Sequence, residues 1–102
     1  MTIAKFAIGA LVWPGISKLV EEAGEVVQVG GKLLGTDGAE DRWDGSNLRT
    51  RLEDEIADLL AAIAFVTQEN NLDDPRIQER RMGKLLLFHE WHRDQRAKGA
   101  SQ

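Results

Sequence analysis

The stretch ISKLVEEAGEVVQVGGKLL, residues 16–34, decides the fold. Ile16, Leu19, Val20, Ala23, Val26, Val27, Leu33 and Leu34 recur at spacings of three and four, the signature of an amphipathic helix about four to five turns long. Trp13-Pro14-Gly15 breaks the chain before it, and Gly35-Thr36-Asp37-Gly38 breaks it after. The same stretch crowds Glu21, Glu22 and Glu25 into two turns, where like charges oppose one another's ionisation.

Working outward, LRTRLEDEIADLLAAIAFVTQEN (48–70) predicts a second helix, with Leu52, Ile56, Leu59, Leu60, Ile63 and Val66 on one face and Ser46 or Asn47 placed to cap it. The segment between the two helices is polar loop. Asp73-Asp74-Pro75 supplies a capping aspartate and a first-turn proline for a last helix at about 75–96. In AKFAIGALVWPG (4–15), together with Ile3, the apolar residues Phe6, Ala7, Ala10 and Leu11 fall at helical spacing and predict a short core-facing helix. Lys5 before an apolar run resembles the start of a signal peptide. No small-residue cleavage pattern follows it, however, and the run is far short of the roughly 20 residues of a membrane span. No stretch reads as a strand or a repeat. The expectation is one all-α domain over residues 1–102, a bundle of about four helices. LLAAIAFV (59–66) is apolar on every side, which a few short helices in one chain cannot cover, so oligomerisation is expected to complete the bundle.

The 102 residues are 42% hydrophobic and 29% charged, an ordinary composition for a water-soluble domain. A net charge of −4 argues against a general nucleic-acid binder, which needs clustered cations for phosphates. The absence of cysteine removes disulfides, thiolate chemistry and Cys-based zinc sites, and suits a cytoplasmic protein.

At about 100° per residue, Glu22 and Glu25 lie on one flank of the first helix's apolar stripe, and Glu55 and Asp58 lie on the equivalent flank of the second. Antiparallel packing brings matching flanks to the same side. The two pairs are also level, roughly 15 and 13 Å from the connecting loop at 1.5 Å per residue. Four gathered carboxylates call for a hard divalent cation, Mg²⁺ or Mn²⁺, which takes oxygen ligands, waters and substrate phosphates.

EEAGE (21–25) followed by EIAD (55–58) resembles the EExxE…ExxD signature of the MazG-like all-α nucleoside triphosphate pyrophosphohydrolases, and the likeness covers about residues 16–70. The resemblance implies that Glu22, Glu25, Glu55 and Asp58 hold Mg²⁺ on a nucleoside triphosphate, with Mn²⁺ a substitute. It further implies that Glu21 orients or deprotonates the attacking water, that the products are a nucleoside monophosphate and pyrophosphate, and that the assembly is a homodimer or homotetramer. Lys18, together with Arg80, Arg81 and Lys84 of a basic cluster that includes Arg76, offers cations for the phosphates. Trp13 and Trp43 are the first choices for an aromatic platform under the base, ahead of Phe6 and Trp91.

Competing explanations are a solvated acidic face laced with pairs such as Lys18–Glu22, and a non-catalytic helical dimer acting as an interaction module. FHEWH (88–92) is not a zinc-protease motif, because His89 and His92 are three apart rather than four. A di-iron bundle is disfavoured because neither Glu25 nor Asp58 is replaced by the histidine of a Glu-x-x-His motif.

Overall fold

The computed structural model describes residues 7–100. Three helices and no strand are found among them: α1, Ile16–Gly35; α2, Leu48–Glu69; and α3, Asp74–Ala100. The chain falls into two compact units that divide between Leu72 and Asp73. The first holds α1 and α2, and the second is α3.

Each helix begins and ends where local chemistry allows. α1 follows Gly15, whose φ of 87° is open to glycine and strained for other residues. Past Gly35 the N–H of Asp37 donates to the Leu34 carbonyl at 3.3 Å and that of Gly38 to the Leu33 carbonyl at 2.8 Å, which closes the last turn as a Schellman motif. The α2 cap is Asn47, whose Oδ1 accepts from the Thr50 N–H at 2.9 Å. Its far end repeats the Schellman pattern, with the Leu72 N–H donating to the Thr67 carbonyl at 3.0 Å and Asn71 left-handed at φ 52°. α3 starts on Asp73, which accepts from the Arg76 N–H at 3.1 Å.

The fourth helix, expected at the N-terminus, is absent from the described part of its stretch. Residues 1–6, with Ile3 and Phe6, lie outside the described residues; 7–10 have no regular structure and 11–15 form turns. The reason is backbone geometry: Gly9 sits at φ 98° and Trp13 at φ 55°, neither compatible with a right-handed helix. Apolar spacing was satisfied, but Leu11 and Val12 end up exposed. The Ile8 carbonyl instead accepts from the Ser17 hydroxyl at 3.2 Å.

α1 and α2 pack antiparallel. Gly15, before α1, lies against Phe65 and Val66 near the end of α2, and the Asn70 side-chain amide donates to the Pro14 carbonyl at 3.0 Å. At the other end Leu48 opens α2 fully buried, with its N–H donating to the Glu40 carbonyl at 2.6 Å. The buried apolar residues are Val29, Leu48, Ala62 and Val66. The predicted stripes are therefore only partly covered within this unit, since Val20, Val27 and Leu34 of α1 and Ile56, Leu60 and Ile63 of α2 are exposed. In the run 59–66, Phe65 does not point away from the main stripe toward open solvent but is half-buried against the turn at Gly15.

Gly15 tests this packing. A Cβ built there would stand 2.5 Å from the Phe65 ring, in a backbone region that L residues avoid. Gly15→Ala is expected to lower stability by roughly 1–3 kcal/mol, read as a shift in the urea unfolding midpoint. An unchanged midpoint would mean that Gly15 is not clamped between α1 and α2.

Candidate metal centre

The antiparallel register decides which charges meet. Across the hairpin Glu25 of α1 faces Arg51 of α2, and Glu22 faces Glu55 and Asp58. One carboxylate oxygen from each of Glu22, Glu55 and Asp58 lies within 4.8 Å of the others. These three come together as the helical spacing predicts: Glu55 and Asp58 are three apart on α2, and Glu22 approaches from the middle of α1. Glu22 and Glu55 are half-buried and Asp58 is exposed, so the group is open to solvent on one side.

Glu25, the fourth expected ligand, stands outside this group. Its Oε2 is 3.8 Å from Nη2 of Arg51, whose Nε is 4.0 Å from Oε1 of Glu55. Arg51 thus stands between Glu25 of the first helix and Glu55 of the second. The acid spacing alone did not point to it; the signal was the i, i+4 relation of Arg51 to Glu55.

A single Mg²⁺ with ligands at 2.0–2.1 Å separates opposite oxygens by about 4 Å. Adjacent ligand oxygens are only about 2.9 Å apart in such a shell, so the three carboxylates, within 4.8 Å of one another, would close further to share one cation. The donors are carboxylate oxygens, with no histidine or cysteine in the group, which is the chemistry of a hard cation. Glu22 carries the electrostatic strain. Partial burial pushes its carboxyl above the usual range, and the Asp58, Glu21 and Glu55 carboxylates add to the shift while Lys18 opposes it.

Lys18 lies one turn before Glu22 and pairs with Glu21 rather than Glu22, its Nζ donating to Oε2 at 3.0 Å. That hydrogen bond, with the Glu21 charge, raises the Lys18 pKa. Glu21 is thus held by a cation and is not one of the three grouped acids. Lys18, Glu22 and Asp58 share an open cleft of roughly 420 Å³ with Ile8, Ala61, Ala62 and Phe65. Ile8 and Phe65 form the apolar wall beside the acids.

The aromatic candidates separate. Trp13 is exposed in the turn just before α1. Trp43 belongs to the loop at the opposite end of the hairpin; from Glu22 to Gly35 alone α1 runs about 20 Å at 1.5 Å per residue. Trp43 is 90% exposed on a loop closed by its own bonds. There the Asp44 carboxylate accepts from the Ser46 hydroxyl at 2.6 Å and the Ser46 N–H at 3.0 Å, and Asp41 and Asn47 form a bridge. On α3, Arg80 and Lys84 line one face with Arg76, whereas Arg81 turns aside and donates from Nε to the Gln78 Oε1 at 2.8 Å. His89 and His92 are both exposed, and neither belongs to the acidic group.

Comparison with protein-family models, curated proteins and solved structures finds no match to this chain.

Glu22 gives a signed prediction. An acid whose folded-state pKa is raised is protonated in both states at low pH and carries no penalty there, and its cost to stability builds up as pH rises from the unfolded pKa through the folded value. Glu22→Gln should therefore raise the melting temperature of metal-free protein at neutral pH, and the gain should vanish as pH falls below the ordinary glutamate range near 4.3. A gain that stays constant from pH 4 to 8 would show that the Glu22 charge is not its source.

Proposed function

We propose that the chain is a Mg²⁺-dependent nucleoside triphosphate pyrophosphohydrolase, cleaving a ribo- or deoxyribonucleoside triphosphate to the monophosphate and pyrophosphate. The observation that carries this is the meeting of Glu22, Glu55 and Asp58 across the α1–α2 hairpin. These are three of the four acids that the EExxE…ExxD resemblance assigns to metal. A cytoplasmic role in removing unwanted nucleotides fits such a reaction.

Glu22, Glu55 and Asp58 would hold the cation, with Glu25 the fourth ligand once it leaves Arg51. When bound, Mg²⁺ supplies positive charge to the triphosphate and polarises the attacking water. Glu21 is the base: it takes a proton from a water whose oxygen attacks the α-phosphorus, while the bond from that phosphorus to the β-bridging oxygen breaks and pyrophosphate leaves with that electron pair. Lys18, already hydrogen-bonded to Glu21, stands in the cleft as a cation for phosphate oxygens. Trp13 is the aromatic nearest along the chain to offer a face to the base. Trp43, Arg80, Arg81 and Lys84 are the remaining candidates for substrate binding.

Assembly belongs to the same proposal. The exposed apolar residues of α1 and α2 form the face that a second copy would cover, giving a homodimer or homotetramer. That exposure also favours the rival reading, a helical dimer that acts as a non-catalytic interaction module. No helix of the described residues is long and apolar enough to cross a membrane.

Pyrophosphate release from a panel of nucleoside triphosphates, with and without Mg²⁺, separates the two readings; no release from any nucleotide would leave the interaction module. In an active protein, Asp58→Asn and Glu25→Gln should reduce turnover to background with helical content retained, whereas Glu21→Gln should slow release by about 10²–10⁴-fold with Mg²⁺ binding close to normal. Loss of metal binding in step with rate would instead make Glu21 a ligand.

For assembly, Leu60 is 60% exposed on α2 and a charge there faces the presumed partner. Leu60→Asp should convert the wild-type oligomer to monomer or insoluble protein, measured by light scattering after gel filtration. A wild-type monomer would end the assembly reading.

A further inference from the structure

Arg51 stands on the loop side of the acidic group. It sits one turn before Glu55 on α2, is about one-third exposed, and reaches across to Glu25 of α1 at 3.8 Å while staying 4.0 Å from Glu55. The first is a cross-helix pair, the second an i, i+4 pair on its own helix. Both contacts are too long for hydrogen bonds, so the guanidinium attracts the two carboxylates by charge, and a small divalent cation drawing the same carboxylates would compete with it. Glu25 is the residue withheld: it lies one turn along α1 from Glu22 yet is missing from the three-acid group. Lys18, one turn before Glu22 on α1, makes its ion pair with Glu21 rather than with any of the three acids.

We propose that Arg51 is an internal counter-cation that occupies Glu25 and Glu55 in the metal-free protein and competes with a divalent cation for them, so that binding of the cation and release of the Arg51 guanidinium are one coupled event. This rests on the metal reading of the preceding subsection. It assigns Arg51 the role of a positioning residue, acting through Glu25 and Glu55. The coupling has a definite sign, because neutralising Arg51 frees Glu25 and removes a competing charge beside Glu55, and so tightens metal binding, whereas a merely structural Arg51 would loosen the hairpin and weaken it.

The test uses Mn²⁺ alone, titrated into the full chain and followed by electron paramagnetic resonance, in wild type, Arg51→Gln, Glu25→Gln and the double variant. Arg51→Gln should bind Mn²⁺ roughly threefold to tenfold more tightly than wild type, and in the Glu25→Gln background that gain should shrink to about twofold or less. Equal or weaker binding by Arg51→Gln overturns the proposal. So does a gain undiminished by Glu25→Gln, which would reduce Arg51 to a general field effect. If wild type binds no Mn²⁺, the metal reading itself fails and takes the proposal with it, an outcome distinct from binding that ignores Arg51. Should Arg51→Gln not fold, the arginine Nε–H signals of wild type serve: saturating Mg²⁺ should move the Arg51 signal, and an unmoved one overturns the coupling.

Discussion

The antiparallel register of α1 on α2 is the constraint from which the rest follows. It is pinned at one end by Gly15, which lets Phe65 and Val66 close on the backbone before α1, and by the Asn70 amide on the Pro14 carbonyl. Leu48 pins the other end, buried at the first residue of α2. A slip of one helical turn would carry Glu22 about 5.4 Å along its partner and set it against Arg51 instead of Glu55 and Asp58. The chemistry of the acidic group is thus decided at the two ends of the hairpin, by residues that carry no charge.

Charge along that register is ordered. Lys18 lies on the N-terminal side of the acids in α1 and Arg51 on the N-terminal side in α2, which in an antiparallel pair places a cation at each end of the cluster. The bracketing is incomplete, since Lys18 is engaged by Glu21 and Arg51 by Glu25 and Glu55. Glu22 in the middle is half-buried, with three neighbouring carboxylates and only Lys18 to oppose them, and its pKa rises accordingly. A pure solvated face has no reason to bury a member of such a cluster, because burial disfavours the charged form.

How much could be read in advance follows from how local each cause is. The bounds of α1 and α2 were legible to within a residue because their stops are local: Gly15, the Asn47 cap, and glycine or asparagine after each end. The last helix runs on to Ala100, past the expected stop near 96, because its end carries no breaker until Gly99. The N-terminal helix was misjudged because apolar spacing says nothing about φ at Gly9 and Trp13. Of the acids, the three at one level were legible from spacing. Glu25 was not, because its position depends on a cation from the other helix, and a search confined to carboxylates passes over Arg51.

The exposed apolar surface bears on the same site. The hairpin buries only Val29, Leu48, Ala62 and Val66 among its apolar residues, too small a core to hold two helices of 20 and 22 residues firmly by itself. Ile56 and Leu60 lie within two residues of Asp58 on α2, on the part of that helix that carries its acids. Covering them would limit how far α2 can rock against α1, and with it the spread of the three carboxylates. The separations among Glu22, Glu55 and Asp58 are then a property of whatever packs on that face as much as of the hairpin.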